Sequence, residues 1–140
     1  AWVGGARAAY IVGCDSTSNL EAGRSWGVQT MGTSAHSFTL LHDSETEAFR
    51  SQIESMGAET TLLVDTYEIE PAVREAVRLT DGKIAAVRIY SGDLSMAASK
   101  VRHLLDSLGA NETKIVVTSY LDEYTISALA AAPAYRYGLG

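Results

Sequence analysis

The chain has 140 residues, 46% hydrophobic and 20% charged, which suits one globular domain and excludes a disordered segment. Seventeen acids against eleven bases give a net charge of −6. That balance disfavours a nucleic-acid partner but permits a small phosphorylated ligand held by backbone N–H groups. No apolar run approaches the roughly 20 residues of a membrane span, so no membrane association is expected. The single cysteine, Cys14, excludes an internal disulfide and a multi-cysteine zinc site, and suits a reducing cytoplasm.

Residues 1–12 are alanine-rich and read as the tail of a helix that begins without a cap, as expected of a segment of a longer parent. Ser18 and Glu21 have the spacing of a capping box, with Gly27 as the stop. A strand-like run, Val28–Met31, follows. Ser44 and Glu47 repeat the capping device, and Gly57 closes that helix. After the run Thr61–Val64, Pro71 suits the first turn of a helix reaching about Leu79. The run Ala85–Ile89 precedes a helix from Leu94 to Leu108 that stops at Gly109. Lys114–Thr118 is the next strand. A helix begins near Leu121 and ends before Pro133, and Tyr137–Leu139 is a weaker final strand.

Thr61–Val64 and Ile115–Val117 are apolar without alternation, as strands buried on both faces are. Strand starts at 61, 85, 114 and 137 lie 24, 29 and 23 residues apart, each the length of a strand–helix unit. The pattern predicts a single α/β domain over residues 1–140, with parallel strands and right-handed crossovers. Five strands do not close an eight-stranded barrel, so the sheet is open or belongs to a larger chain. An open sheet leaves unpaired edges, and the isolated chain is expected to self-associate.

Polar residues gather after each strand: Thr33, Ser34 and His36; Asp65, Thr66 and Tyr67; Ser91 and Asp93; Ser119, Asp122 and Glu123. Active sites of parallel α/β folds lie at that edge. No glycine-rich dinucleotide or nucleoside-triphosphate loop is present, which argues against a dinucleotide fold. His36 sits among small residues that allow a ligand close to the backbone, as a base or as a nucleophile toward phosphate. His42 reads as a capping or surface residue and His103 as a solvated one. Asp65 is either a helix cap or an acid for magnesium or ribose hydroxyls. Ser91-Gly92-Asp93 is either a plain turn or part of the site. Arg88, inside a strand, needs a ligand anion or a neighbouring carboxylate. Asp122 and Glu123 read as a helix cap, and Tyr67, Tyr90 and Tyr120 stand at the same edge.

Five motifs then converge. Gly13–Asn19 (GCDSTSN), Gly32–Phe38 (GTSAHSF), Leu62–Tyr67 (LLVDTY), Val87–Leu94 (VRIYSGDL) and Thr118–Ile126 (TSYLDEYTI) resemble nicotinate phosphoribosyltransferase, in order and over essentially the whole chain. The resemblance is to the central part of the family's barrel domain. It implies a partial (β/α) barrel of the type II phosphoribosyltransferase kind. It implies an enzyme that forms nicotinate mononucleotide and pyrophosphate from nicotinate and phosphoribosyl pyrophosphate, with Mg2+ and with ATP hydrolysis coupled through a phosphohistidine. It puts the phosphate acceptor at His36, a further catalytic role at Asp93, and the nicotinate carboxylate at Arg88. Ser91, Gly92 and Asp93 would face the phosphoribosyl group. Thr33, Ser34 and Asp65 would bind substrate, and no metal ligand is assigned. The full-length protein would be a cytoplasmic homodimer. Tyr90, Tyr120 and Tyr135 depart from the family pattern, where aspartates are usual, and each removes a magnesium- or ribose-capable carboxylate oxygen and adds a bulky ring. The alternatives are a related enzyme for quinolinate or nicotinamide, and a non-catalytic α/β scaffold. The leading reading requires His36 and Arg88 to converge on one rim of a parallel sheet.

Overall fold

The computed structural model describes residues 3–12, 14–16, 20–27 and 34–139. The backbone divides into two units, Ala1–Thr33 and Ser34–Gly140. The first unit contains helices α1 (Val3–Ile11) and α2 (Leu20–Trp26). Gly27 ends α2 in the left-handed conformation, φ +64°, which a glycine adopts without steric cost. The Arg7 guanidinium lies 5.4 Å from the Trp26 ring centroid and ties the two helices together. The expected cap at Ser18, the expected strand Val28–Met31, and Thr33 lie outside the described residues.

The second unit begins with a short helix, α3 (His36–Leu40), followed by α4 (Glu45–Met56). The Ser44 hydroxyl accepts the Glu47 N–H at 3.2 Å, so the expected N-cap forms. Next come β1 (Thr61–Leu63), α5 (Ile69–Leu79), β2 (Ala86–Ile89), α6 (Leu94–Ser107), β3 (Lys114–Ser119), α7 (Glu123–Leu129) and β4 (Arg136–Leu139). The four strands pair in parallel in the order β1-β2-β3-β4. Successive strands are therefore neighbours joined by a helix, as their spacing predicts.

Two elements differ from expectation. Residues 36–40 form α3, where the sequence pattern indicates no helix, because five residues are too few to display a helical period. Helix α7 starts at Glu123, two residues later than expected. Asp122 is its N-cap, accepting the Thr125 N–H at 2.7 Å. Asp122 therefore caps, as read, and Glu123 lies in the first turn of the helix.

Alternation along the strands separates two faces. Leu62, Val64, Val87, Ile89, Ile115 and Val117 join a core with Val73, Ala76, Ala98, Val101 and Leu105 of α5 and α6. Leu63, Ala86 and Val116 occupy the opposite face and are also buried. Burial of both faces explains why these strands lack polar alternation. Arg88, Thr118 and Gly138 share that second face, because Leu63 pairs Arg88, Arg88 pairs Val116, and Val116 pairs Arg136. Among the described residues, no helix is long and apolar enough to cross a membrane.

Helix α4 carries a titratable defect. Glu45 Oε2 is buried without a hydrogen-bond partner among the described residues. Burial, aided by the charge of Glu75 on α5, pushes its carboxyl up to about 7 from an ordinary value of 4.5. The folded chain then holds this proton more tightly than the unfolded chain, so stability falls as pH rises between those two values. Glu45→Gln should remove the penalty. In urea melts across that range, the variant's advantage should be absent at the acid end and full above about pH 7. A pH-independent difference would contradict this.

Candidate active site

The site is organised by Asp65, the second residue after β1. Its side chain is only 3% exposed. Oδ2 accepts the Tyr90 N–H at 2.7 Å, the Ser91 N–H at 2.8 Å and the Ser91 hydroxyl at 3.0 Å. The carboxylate thus latches the turn that follows β2. It does not cap α5, whose N-cap is Glu68 without a side-chain hydrogen bond. The capping alternative for Asp65 is therefore corrected: its neighbour in space is the next strand's turn. Asp65 Oδ1 has no hydrogen-bond partner among the described residues. It lies 3.8 Å from His36 Nε2.

His36 opens α3. Its Nδ1 lies 3.1 Å from the Thr66 hydroxyl oxygen, and its ring meets Tyr90 edge-on, with centroids 5.6 Å apart. Arg88 approaches the same tyrosine from β2, its guanidinium carbon 5.7 Å from the ring centroid. Arg88 Nε donates to the Thr118 hydroxyl at 2.7 Å, and Nη1 donates to the Ser34 carbonyl at 3.2 Å. Burial pulls the guanidinium below its ordinary value, opposed by the Asp65 charge and by Tyr90. Arginine stays charged even so. Asp65 is thus a nearby countercharge, as expected for a cation within a strand.

Ser34 is held from behind. Its hydroxyl donates to Gln52 Oε1 at 2.6 Å, and Gln52 Nε2 donates to the Thr60 hydroxyl and the Thr61 carbonyl. Gln52 lies on the buried side of α4, one turn beyond Ala48 and Phe49. A glutamine at that position of an apolar stripe is the signal that sequence reading passed over. Thr118 was also missed as a site residue, and Thr66 was read at this edge without a role; their hydroxyls hold Arg88 and His36.

The structure brings Ser34, His36, Asp65, Arg88 and Ser91 to the C-terminal edge of the sheet. Asp93 stands apart in role: its Oδ1 accepts the Met96 N–H at 3.0 Å and caps α6, and its side chain is exposed. Gly92 turns the chain there at φ +82°. His42 Nδ1 lies 2.8 Å from the Phe38 carbonyl and His103 is exposed, as read. Of the three departing tyrosines, Tyr90 touches the site. Tyr120 follows β3 at the same edge and is 86% exposed. Tyr135 lies at the opposite edge, beside Lys114 and Arg136.

No protein-family model matches the chain. It is 47% identical to nicotinate phosphoribosyltransferase pncB1 of Mycobacterium tuberculosis, over 99% of this chain and 33% of that protein. It is 36% identical to nicotinate phosphoribosyltransferase of Bacillus subtilis, over 93% of this chain and 28% of that protein. The chain belongs to the nicotinate phosphoribosyltransferase family. It spans about a third of the length of the curated relatives it matches. Among solved structures it is similar to nicotinate-nucleotide pyrophosphorylase from Pyrococcus furiosus, with a TM-score of 0.87, 26% identity, and coverage of 96% of this chain and 36% of that one. Nicotinate phosphoribosyltransferase from Porphyromonas gingivalis shares the fold at a TM-score of 0.77 and 21% identity, over 90% of this chain and 36% of that one.

In this segment of the nicotinate phosphoribosyltransferase family, the Asp65 latch should dominate local stability. Asp65→Ala strands two backbone donors and should cost about 3 kcal/mol in denaturant unfolding. Asp65→Asn keeps an acceptor oxygen and should cost about 1 kcal/mol. Equal losses in the two variants would refute the latch.

Proposed function

We propose that this chain supplies the pyridine-binding wall of a phosphoribosyltransferase that joins nicotinate to phosphoribosyl pyrophosphate, releasing pyrophosphate. The observation that carries the reading is Arg88: a half-buried guanidinium at the C-terminal edge of a parallel sheet, fixed on Nε by Thr118 and on Nη1 by Ser34. Guanidinium matches a planar carboxylate better than any other side chain does. Nicotinate is such a ligand, and the curated relatives are named for it. The quinolinate and nicotinamide alternatives, and the scaffold alternative, are not favoured. In the full-length protein the parallel sheet would be part of a (β/α) barrel, and the protein a cytoplasmic homodimer.

Arg88 orients the pyridine by its carboxylate, so that the ring nitrogen faces the ribose carbon that loses pyrophosphate. Holding the two reactants in line is the main service such a site performs. The Ser91–Asp93 turn, held by Asp65, presents a hydroxyl and an uncluttered glycine to the phosphoribosyl group, with Ser34 beside the substrate. Asp93 combines helix capping with an exposed carboxylate near that turn.

Among the described residues there is no cluster of three metal-ligating side chains. Magnesium bound with pyrophosphate takes most of its oxygens from phosphates and water, and one carboxylate oxygen suffices from the protein. Asp65 Oδ1, buried and without a hydrogen-bond partner among the described residues, fits that need. The ion would offset pyrophosphate charge.

His36 is the proposed acceptor for the coupled ATP step. A P–O bond of ATP breaks, a P–N bond forms at the imidazole, ADP departs and the imidazole loses a proton. Nδ1 is engaged by Thr66, while Nε2 faces the Asp65 side.

Calorimetric titration tests the carboxylate assignment. Nicotinate should bind more tightly than nicotinamide, and Arg88→Ala should weaken nicotinate at least about tenfold while leaving nicotinamide nearly unchanged. Equal affinity for the two pyridines would overturn the reading. For the ATP step, radiolabelled γ-phosphate should give an acid-labile label on the chain that His36→Asn abolishes. A label that survives the substitution would remove His36 from this role.

A further inference from the structure

Gly138 pairs with Thr118 across β3 and β4. A Cβ built at position 138 would collide with the Thr118 methyl and lie 3.2 Å from its Cβ. The backbone at Gly138 is ordinary strand, so the glycine is not there for a turn. A glycine inside a strand often marks a place where a neighbouring group approaches closely. Here that group is Thr118, which leans over Gly138 while its hydroxyl accepts from Arg88 Nε at 2.7 Å.

We infer that Gly138 is a positioning residue for Arg88, acting through Thr118. The inference rests on the nicotinate reading for its ligand, though not for its geometry. Threonine is stiff about its first side-chain torsion, with few alternative rotamers on a pleated strand. Its methyl and hydroxyl point in fixed directions relative to each other. In this rotamer the methyl fills the space above Gly138 and the hydroxyl meets Arg88. A methyl group at 138 takes that space. Thr118 must then rotate, which carries the hydroxyl away from Arg88, or β4 must separate from β3. Either way Arg88 loses the contact that fixes Nε. Gly138 is thus coupled to a side chain two strands away, through a methyl–backbone contact and one hydrogen bond.

The geometry specifies a methyl-exchange experiment. Gly138→Ala adds the offending methyl. Thr118→Ser removes the methyl it strikes and keeps the hydroxyl. Thr118→Val removes the hydroxyl and leaves the packing. The readout is hydrogen exchange at Arg88 Nε–H by NMR, with the signal identified by its loss in Arg88→Lys. Protection should fall about tenfold in Gly138→Ala and in Thr118→Val, as for one lost hydrogen bond to a charged group. The double variant Gly138→Ala/Thr118→Ser should regain protection, a rescue that a general loosening of the sheet would not produce. Full protection in a folded Gly138→Ala variant would overturn the inference. So would a double variant that stays unprotected or unfolded. If Gly138→Ala itself does not fold, the double variant alone decides. Nicotinate titration of the same proteins separates the two readings. Affinities following the order of protection support both, whereas a parent chain that ignores nicotinate but shows the predicted exchange pattern refutes the ligand and keeps the positioning role.

Discussion

One buried carboxylate organises the upper edge of this sheet. Asp65 leaves β1 and takes up the two backbone N–H groups and the hydroxyl that open the turn after β2. Removed from water, such donors are costly to leave unpaired, so the turn has one low-energy place to be. Tyr90 and Ser91 are set by that choice. His36 and Arg88 are then arranged around the Tyr90 ring. A single acid thereby joins the end of one strand to the turn of its neighbour, and the site inherits the register of the parallel ladder.

The two faces of the sheet divide stability from chemistry. Toward α5 and α6 lies a continuous aliphatic core. The opposite face mixes the buried Leu63, Ala86 and Val116 with the polar Arg88 and Thr118. A guanidinium on such a face needs fixed acceptors, and it receives a threonine hydroxyl and a backbone carbonyl. Hydrogen bonds to a charged donor are stronger than neutral ones, and they hold the planar group in a defined orientation. Gln52 extends this network to α4, so the position of Ser34 depends on the first helix of the αβ succession.

Much of the fold was legible because each signal was local. The Ser44 and Asp122 caps, the Gly57 and Gly109 stops, and the apolar runs of β1 and β3 act on their own chain neighbours, and the structure bears them out. The strand spacing predicted parallel pairing, which was also found. Helix α3 escaped notice because it is held by a few backbone hydrogen bonds and the His42 ring on Phe38, with no long stripe to read. Tyr90, Tyr120 and Tyr135 looked alike in the sequence. Only Tyr90 reaches the site residues, since one tyrosine precedes its strand and another projects outward after its own.

The amino-acid order alone determined the alternation of strands and helices, the edge on which polar residues collect, and the family that the motifs resemble. The first two rest on local propensity and on the period of apolar residues, and the resemblance rests on five motifs in order. Tertiary structure decided who meets whom: that Asp65 serves a turn 25 residues away, that Thr118 holds Arg88, and that Gly138 leaves room for Thr118. Each of those contacts joins different strands. Cross-strand distances follow from ladder register and side-chain direction, which no stretch of sequence contains by itself.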